Sequence, residues 1–146
     1  MIMPNRKLMD VIRNKPLVVG FLDTTVLDAA KQMAEKGVGS VVVIANGQLA
    51  GIFTERDLLN RIIAKELNPA KVCLAHVMTS TVIGVEFDKP FTHALHLMSM
   101  NNCRHIPVTM KGMPIGMVTA RDALTIEWQD FDKENEEADH ISEILA

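Results

Sequence analysis

Two aspartates, Asp57 and Asp122, close the same short motif, Thr54-Glu55-Arg56-Asp57 and Thr119-Ala120-Arg121-Asp122. An ionised carboxylate is acceptor-only, so one such group can take hydrogen bonds from both hydroxyls of a ribose. The hydroxyls of Thr54 and Thr119 can donate to a phosphate, and the guanidinium groups of Arg56 and Arg121 can neutralise it in bidentate fashion. A plainer reading uses the same residues: each Asp caps a helix and each Arg faces solvent. Both readings demand a motif at a junction between strand and helix. There, unpaired backbone N–H groups and the positive helix end favour an anion.

The surrounding residues supply that junction. Gly51-Ile52-Phe53-Thr54 and Gly116-Met117-Val118-Thr119 are small and apolar up to the hydroxyl, and the whole stretch repeats at an offset of 65 residues. Carried backwards, the offset places Val43 on Val108, Gly47 on Gly112, Met33 on Met98, Ala29 on Ala94 and Asp23 on Asp88 without a gap. The chain is an internal duplication.

These residues resemble a known family. Gly-x-x-Thr-x-Arg-Asp after an apolar strand, twice, together with His76-Val77-Met78-Thr79-Ser80 and Cys103-Arg104-His105-Ile106-Pro107-Val108, is similar to a tandem pair of cystathionine-β-synthase (CBS) domains. The resemblance covers roughly residues 8 to 126 and implies a stand-alone two-domain protein of the Bateman type. The implied fold is α/β: two pseudo-symmetric β-α-β-β-α units packed through their sheets, with a cleft for adenine nucleotides or related adenosyl compounds. It also implies further binding positions. The site using Asp122 would draw on Pro16, Val18, Val38 and Gly39, with Met117 and Arg104. The site using Asp57 would draw on Thr81, Ile83, Cys103 and Arg104, with Ile52 and Ser40. Gly39-Ser40 stands where the second copy has Arg104-His105, which breaks the symmetry of the two sites.

The elements that must hold these residues can be read in order. The lead-in from Leu8 to Asn14 stops at Pro16, and Leu17 to Val19 reads as a strand. Val26, Ala29, Ala30 and Met33 recur at helical spacing behind the cap Asp23-Thr24-Thr25, and Gly37 ends that helix. Ser40 to Ile44 is a β-branched strand, Asn46-Gly47 a hairpin turn, and Leu49 to Thr54 the return strand. A helix then runs from Glu55 to about Lys65. In the second copy the strands are Thr81 to Val85, Ile106 to Met110 and Ile115 to Thr119. The helices are Pro90 to Asn101 and one starting near Ala120. Asn68-Pro69 divides the copies, giving domains at 8–66 and 71–126 and an acidic, partly helical tail at 127–146.

Composition narrows the function. Of 146 residues, 48% are hydrophobic and 23% charged, ordinary for a soluble globular domain. No apolar run reaches the about 18 residues of a membrane span, and no apolar region follows the basic N-terminus as in a secretory signal. Two cysteines suit a reducing cytoplasm. The net charge of −3 hides a mildly basic body and a tail with eight acids against Lys133. That body suits a small anion and is too weakly basic for a nucleic-acid surface.

His93 and His96 lie three apart on a helix but lack a third metal ligand. Cys103, beside Arg104 and His105, is either a lowered-pKa thiol or a buried structural cysteine. No catalytic constellation stands out, so the expected function is regulatory rather than enzymatic. The resemblance implies binding of AMP, ADP, ATP or a related adenosyl compound; the alternative is a constitutive dimeric scaffold without a ligand. Output would pass through self-association or through a protein effector held by the acidic tail. Leu58, Leu59, Ile62 and Ile63, with Leu124, Trp128 and Phe131, exceed what a thin core contact needs and mark a homodimer interface.

Overall fold

Local chemistry defines the ends of most elements. The computed structural model describes residues 6–125. A short helix α1 (Leu8–Ile12) leads into strand β1 (Val19–Phe21). The Thr25 hydroxyl then accepts the Asp28 N–H at 3.1 Å and opens helix α2 (Val26–Lys36). Gly37, at φ 67°, closes α2 in the left-handed conformation that a Cβ would strain. Strands β2 (Ser40–Ala45) and β3 (Gln48–Thr54) flank a turn in which Asn46 and Gly47 both have positive φ, 53° and 73°. That turn matches the twist of the strands it joins.

Helix α3 (Glu55–Asp57) follows, and after one turn it widens into a π-helix over Leu58–Ile63. The bond from Ala64 N–H to the Leu59 carbonyl, 2.9 Å, spans the five residues of that wider turn. The regular helix expected over residues 55 to 65 is therefore corrected beyond Asp57. Widening lets Ile62 reach full burial while Leu59 and Ile63 stay exposed.

The second copy repeats the plan. Helix α4 (Leu74–Val77), strand β4 (Val85–Glu86), helix α5 (Phe91–Asn101) and strands β5 (His105–Met110) and β6 (Met113–Thr119) precede a helix α6 over residues 120–125. Each copy forms a three-stranded sheet, β1-β2-β3 or β4-β5-β6, with its first pair parallel and its second antiparallel. The ladder slips between Val43 and Ile44 in one sheet and between Val108 and Thr109 in the other. The duplication extends to that irregularity. The first strand of each copy lies later than its apolar run suggests. Leu17 and Val18 precede β1, although the Val18 carbonyl accepts the Val42 N–H at 3.0 Å. Residues 81–84 stay outside β4.

The two copies exchange their leading helices. Leu8 and Ile12 of α1 are buried with Phe91, Ile106 and Val118 in the second core. Leu74 of α4 is buried with Val26, Phe53 and Ile62 in the first. Val42, Ile52 and Met117 form a third cluster, joined by Leu17, Val19, Leu49 and Val82, and pack one sheet on the other. Among the described residues, no helix is long and apolar enough to cross a membrane. The anticipated tail at 127–146 lies outside the described residues.

Gly116 records how tightly α1 crosses its foreign sheet. A Cβ there would lie 2.6–2.8 Å from three carbons of Ile12. Gly116→Ala is expected to destabilise the fold by about 1–3 kcal/mol in urea unfolding, through overpacking. Ile12→Ala in the same chain should cost less than it does alone, because it frees that space. Strictly additive losses would disprove the contact.

Candidate functional site

At the start of α3, Thr54 and Asp57 form a reciprocal pair. The Thr54 hydroxyl accepts the Asp57 N–H at 3.2 Å, and Asp57 Oδ2 accepts the Thr54 N–H at 2.9 Å. This is a capping box, so the plainer structural role is present. It does not use up either side chain. The Thr54 hydroxyl proton remains to be donated, and Asp57 Oδ1 keeps lone pairs, with Arg61 Nε 3.6 Å away.

Beside this junction lies a cleft of about 750 Å³ between the copies. Its first-copy wall holds Ile52, Thr54, Arg56 and Asp57. The crossing segment before β4 brings Thr79, Thr81, Val82 and Ile83, and the start of β5 brings Cys103, Arg104 and His105. Of the positions expected around Asp57, only Ser40 does not line it. Ser40 is buried in β2 opposite Thr54. Glu55, Leu59, Thr79, Val82, Asn101, Asn102 and His105 also line the cleft and were not anticipated. Asn102 ends α5 in the left-handed conformation at the position equivalent to Gly37, which was the available signal.

The Asp122 group is arranged differently. Asp122 Oδ2 accepts the Thr119 N–H at 2.7 Å, matching the bond from Thr54 N–H to Asp57 Oδ2. It also takes the Lys15 ammonium at 2.5 Å, and that ammonium donates to the Met117 carbonyl at 3.0 Å. Val18 and Val38 belong to the first copy's core. Pro16 and Arg121 are exposed, Met117 packs between the sheets, and Arg104 lines the Asp57 cleft instead. Gly39 lies against side chains of the cleft: a Cβ there would be 2.7 Å from Glu55 Oε1 and 3.5 Å from His105 Nε2.

Two groups in the cleft have perturbed acidity. Burial pushes the Cys103 thiol up, outweighing nearby backbone N–H groups, the direction that favours a structural cysteine over a lowered-pKa thiol. Burial also lowers the His105 imidazole, opposed by the carboxylate of Glu55, helped by Lys15 and Arg104, and opposed again by Asp57. Charges from both copies thus act on one imidazole. His93 and His96 are exposed on α5, and no group of three metal-ligating side chains occurs among the described residues.

Exchanged leading helices, two matched sheets and a repeated Thr-x-Arg-Asp junction define a pair of CBS domains. The chain belongs to the CBS domain family, whose pattern matches residues 8–64 and 74–128. It is 41% identical over 108 residues to CBSX3, a mitochondrial CBS domain-containing protein of Arabidopsis thaliana, covering 70% of this chain and 52% of that one. The chain thus spans about half of that relative's length.

A CBS domain protein from Pyrobaculum aerophilum, solved in complex with AMP, shares the fold with a TM-score of 0.73 at 25% identity, covering 80% of this chain and 88% of that chain. The CBS domain pair of protein MJ0100, in complex with 5′-methylthioadenosine and S-adenosyl-L-methionine, gives a TM-score of 0.73 at 26% identity, covering 87% and 99%.

The His105 environment makes stability depend on pH. Below the ordinary imidazole value of 6.5 the unfolded chain binds a proton that the folded chain resists. Stability is therefore complete above that value and falls as pH drops toward the lowered folded one. Urea midpoints measured at pH steps downward from 6.5 should fall less steeply for His105→Gln than for the wild type. Equal slopes would rule out an imidazole held below its ordinary value.

Proposed function

We propose that the chain is a regulatory module that binds an adenosyl ligand, such as AMP, ADP or ATP, in the cleft at Asp57. One observation carries this reading: a single cleft joins a carboxylate acceptor to the cations Arg56 and Arg104 and to the apolar side chains Ile52, Val82 and Ile83. Asp57 Oδ1 would accept the ribose hydroxyls while Oδ2 keeps its cap. The two arginines and Thr54 would receive phosphate, and the base would lie against the apolar wall. The AMP and adenosyl complexes of the two structural relatives support the ligand class.

Binding would act by favouring one setting of the two copies, or of two chains, over another; equal affinity for both would regulate nothing. Output would be regulation rather than catalysis, in a reducing cytoplasm where Cys73 and Cys103 remain free thiols. The tail at 127–146 would offer a protein effector its acidic surface.

The ligand reading is tested at one residue. AMP at 100 times its Kd should add about 2.7 kcal/mol to folded-state stability, seen as a thermal shift. Asp57→Asn retains an acceptor for the cap yet should weaken AMP by about 1.5–3 kcal/mol in titration calorimetry. Affinity should also fall as salt rises. Wild-type affinity in the variant would overturn the ribose assignment.

Leu59 and Ile63, 59% and 57% exposed on successive turns of the π-helix, favour a self-association surface that adjoins the cleft, which Leu59 also lines. A homodimer through this face would serve the regulatory reading and also the alternative, a constitutive scaffold that shows no thermal shift with AMP. Trp128 and Phe131, also expected at the contact, lie outside the described residues. Leu59→Lys with Ile63→Lys should convert a sedimenting dimer to a monomer without loss of fold. A wild-type monomer at high micromolar concentration would end the dimer proposal.

A further inference from the structure

We infer that Lys15 is a built-in occupant of the Asp122 site, so that the two homologous sites are unequal and only the Asp57 cleft accepts a ligand in the wild-type protein. This rests on the adenosyl reading above and adds which of the two sites is used, and why.

The inference comes from comparing the two crossing segments. Before β4, the backbone of Thr79 bridges the outer edge of β3: Ile52 and Thr79 exchange N–H···O bonds of 3.0 and 2.9 Å. The bridge from Thr25 to Cys73 has its counterpart in the bridge from Lys7 to Pro90, so the copies match closely in these contacts. Met117 is the equivalent of Ile52, yet among the described residues it has no such bridge. Its carbonyl instead takes the Lys15 ammonium at 3.0 Å.

The same ammonium reaches Asp122 Oδ2 at 2.5 Å, with the side chains of Lys15 and Asp122 only 32% and 16% exposed. The segment over Asp57 offers Thr79, Ser80 and Thr81 in this region, three hydroxyls and no cation. The nearest cation to Asp57, Arg61, sits at 3.6 Å. Arg61 is turned toward the Val77 carbonyl, at 2.6 Å, and the Thr79 hydroxyl, at 3.2 Å. The ammonium shares Oδ2 with the cap and neutralises the carboxylate, so a ribose diol arriving at Asp122 Oδ1 meets a weakened acceptor crowded by Lys15. One arriving at Asp57 meets a cleft-lining carboxylate whose ion pair with Arg61 is longer, 3.6 Å, and shared with the Val77 carbonyl and the Thr79 hydroxyl. Charge and position both set the order of the two sites.

Lys15→Thr gives the first crossing segment the character of the second, and AMP titration with stoichiometry per chain reads the result. The expected result is one AMP per wild-type chain, weakened about tenfold or more in Asp57→Asn, and two per chain in Lys15→Thr, the second weakened likewise when Asp122→Asn is added. Two sites in the wild type would overturn the inference. So would a single site in a folded Lys15→Thr chain, or weaker AMP binding there, which would make Lys15 a ligand contact.

A ligand-free double-mutant cycle with Lys15→Met and Asp122→Asn tests the occupant by itself. Coupling of about twofold or more in the unfolding constant is expected, and additivity would end the inference. If no variant binds AMP, the adenosyl reading fails, and this cycle alone decides whether Lys15 occupies Asp122.

Discussion

The structure depends on the exchange of leading helices between the two copies. Leu8 and Leu74 are both completely buried, each in the core of the copy it does not lead. Full burial of such a side chain is worth about 1.5–3 kcal/mol, so neither half completes its own core. The exchange also dictates geometry. A chain that leaves α1 on the second sheet and enters β1 in the first must cross between them, and the segment after α4 must cross the other way. Those crossings carry Lys15 to Asp122 and Thr79–Ile83 to Asp57. The cleft therefore follows from the topology.

The Thr-Asp junction shows how one residue can serve both fold and site. A helix start leaves N–H groups without partners, and a carboxylate three residues into the motif can satisfy one with a single oxygen. The second oxygen stays near the strand end, beside the positive end of the backbone. Capping and ligand acceptance are thus compatible uses of Asp57, because they draw on different lone pairs. The same division explains why the sequence alone could not choose between them. Both roles demand the same residue at the same place.

Much of the fold was legible because a duplication checks itself. The offset of 65 residues held each strand, turn and helix of one copy against another, and the turns Asn46-Gly47 and Lys111-Gly112 fell where the offset puts them. Most positions named around Asp57 do line the cleft, because the resemblance carried information about both copies at once. The exchange was not legible. Leu8 and Leu74 look alike as apolar lead-ins, and nothing local says which core receives them. The π-helix was hidden as well, since Leu58, Leu59, Ile62 and Ile63 suit either helical period. Lys15 escaped notice because its partner lies 107 residues away, and no pattern within the segment points to a carboxylate.

A duplicated fold can keep its backbone contacts while trading side chains in compensating pairs. The Glu55 N–H donates to the Gly39 carbonyl at 2.9 Å, and its counterpart, the Ala120 N–H, donates to the Arg104 carbonyl at 3.0 Å. At the first of these bonds a large Glu faces a Gly, whose missing Cβ leaves room for the carboxylate. At the second, a small Ala faces the large Arg104. Such an exchange keeps the backbone bonds and leaves a negative charge in one copy, Glu55, where the other carries a positive one, Arg104. Glu55 and Arg104 both act on His105, as do Asp57 and Lys15, so one imidazole senses charges from both copies. At low local dielectric those charges do not act independently, and an anion entering the Asp57 cleft alters the field at a group that Lys15 also reaches. Symmetry of the backbone thus coexists with one shared, asymmetric electrostatic centre.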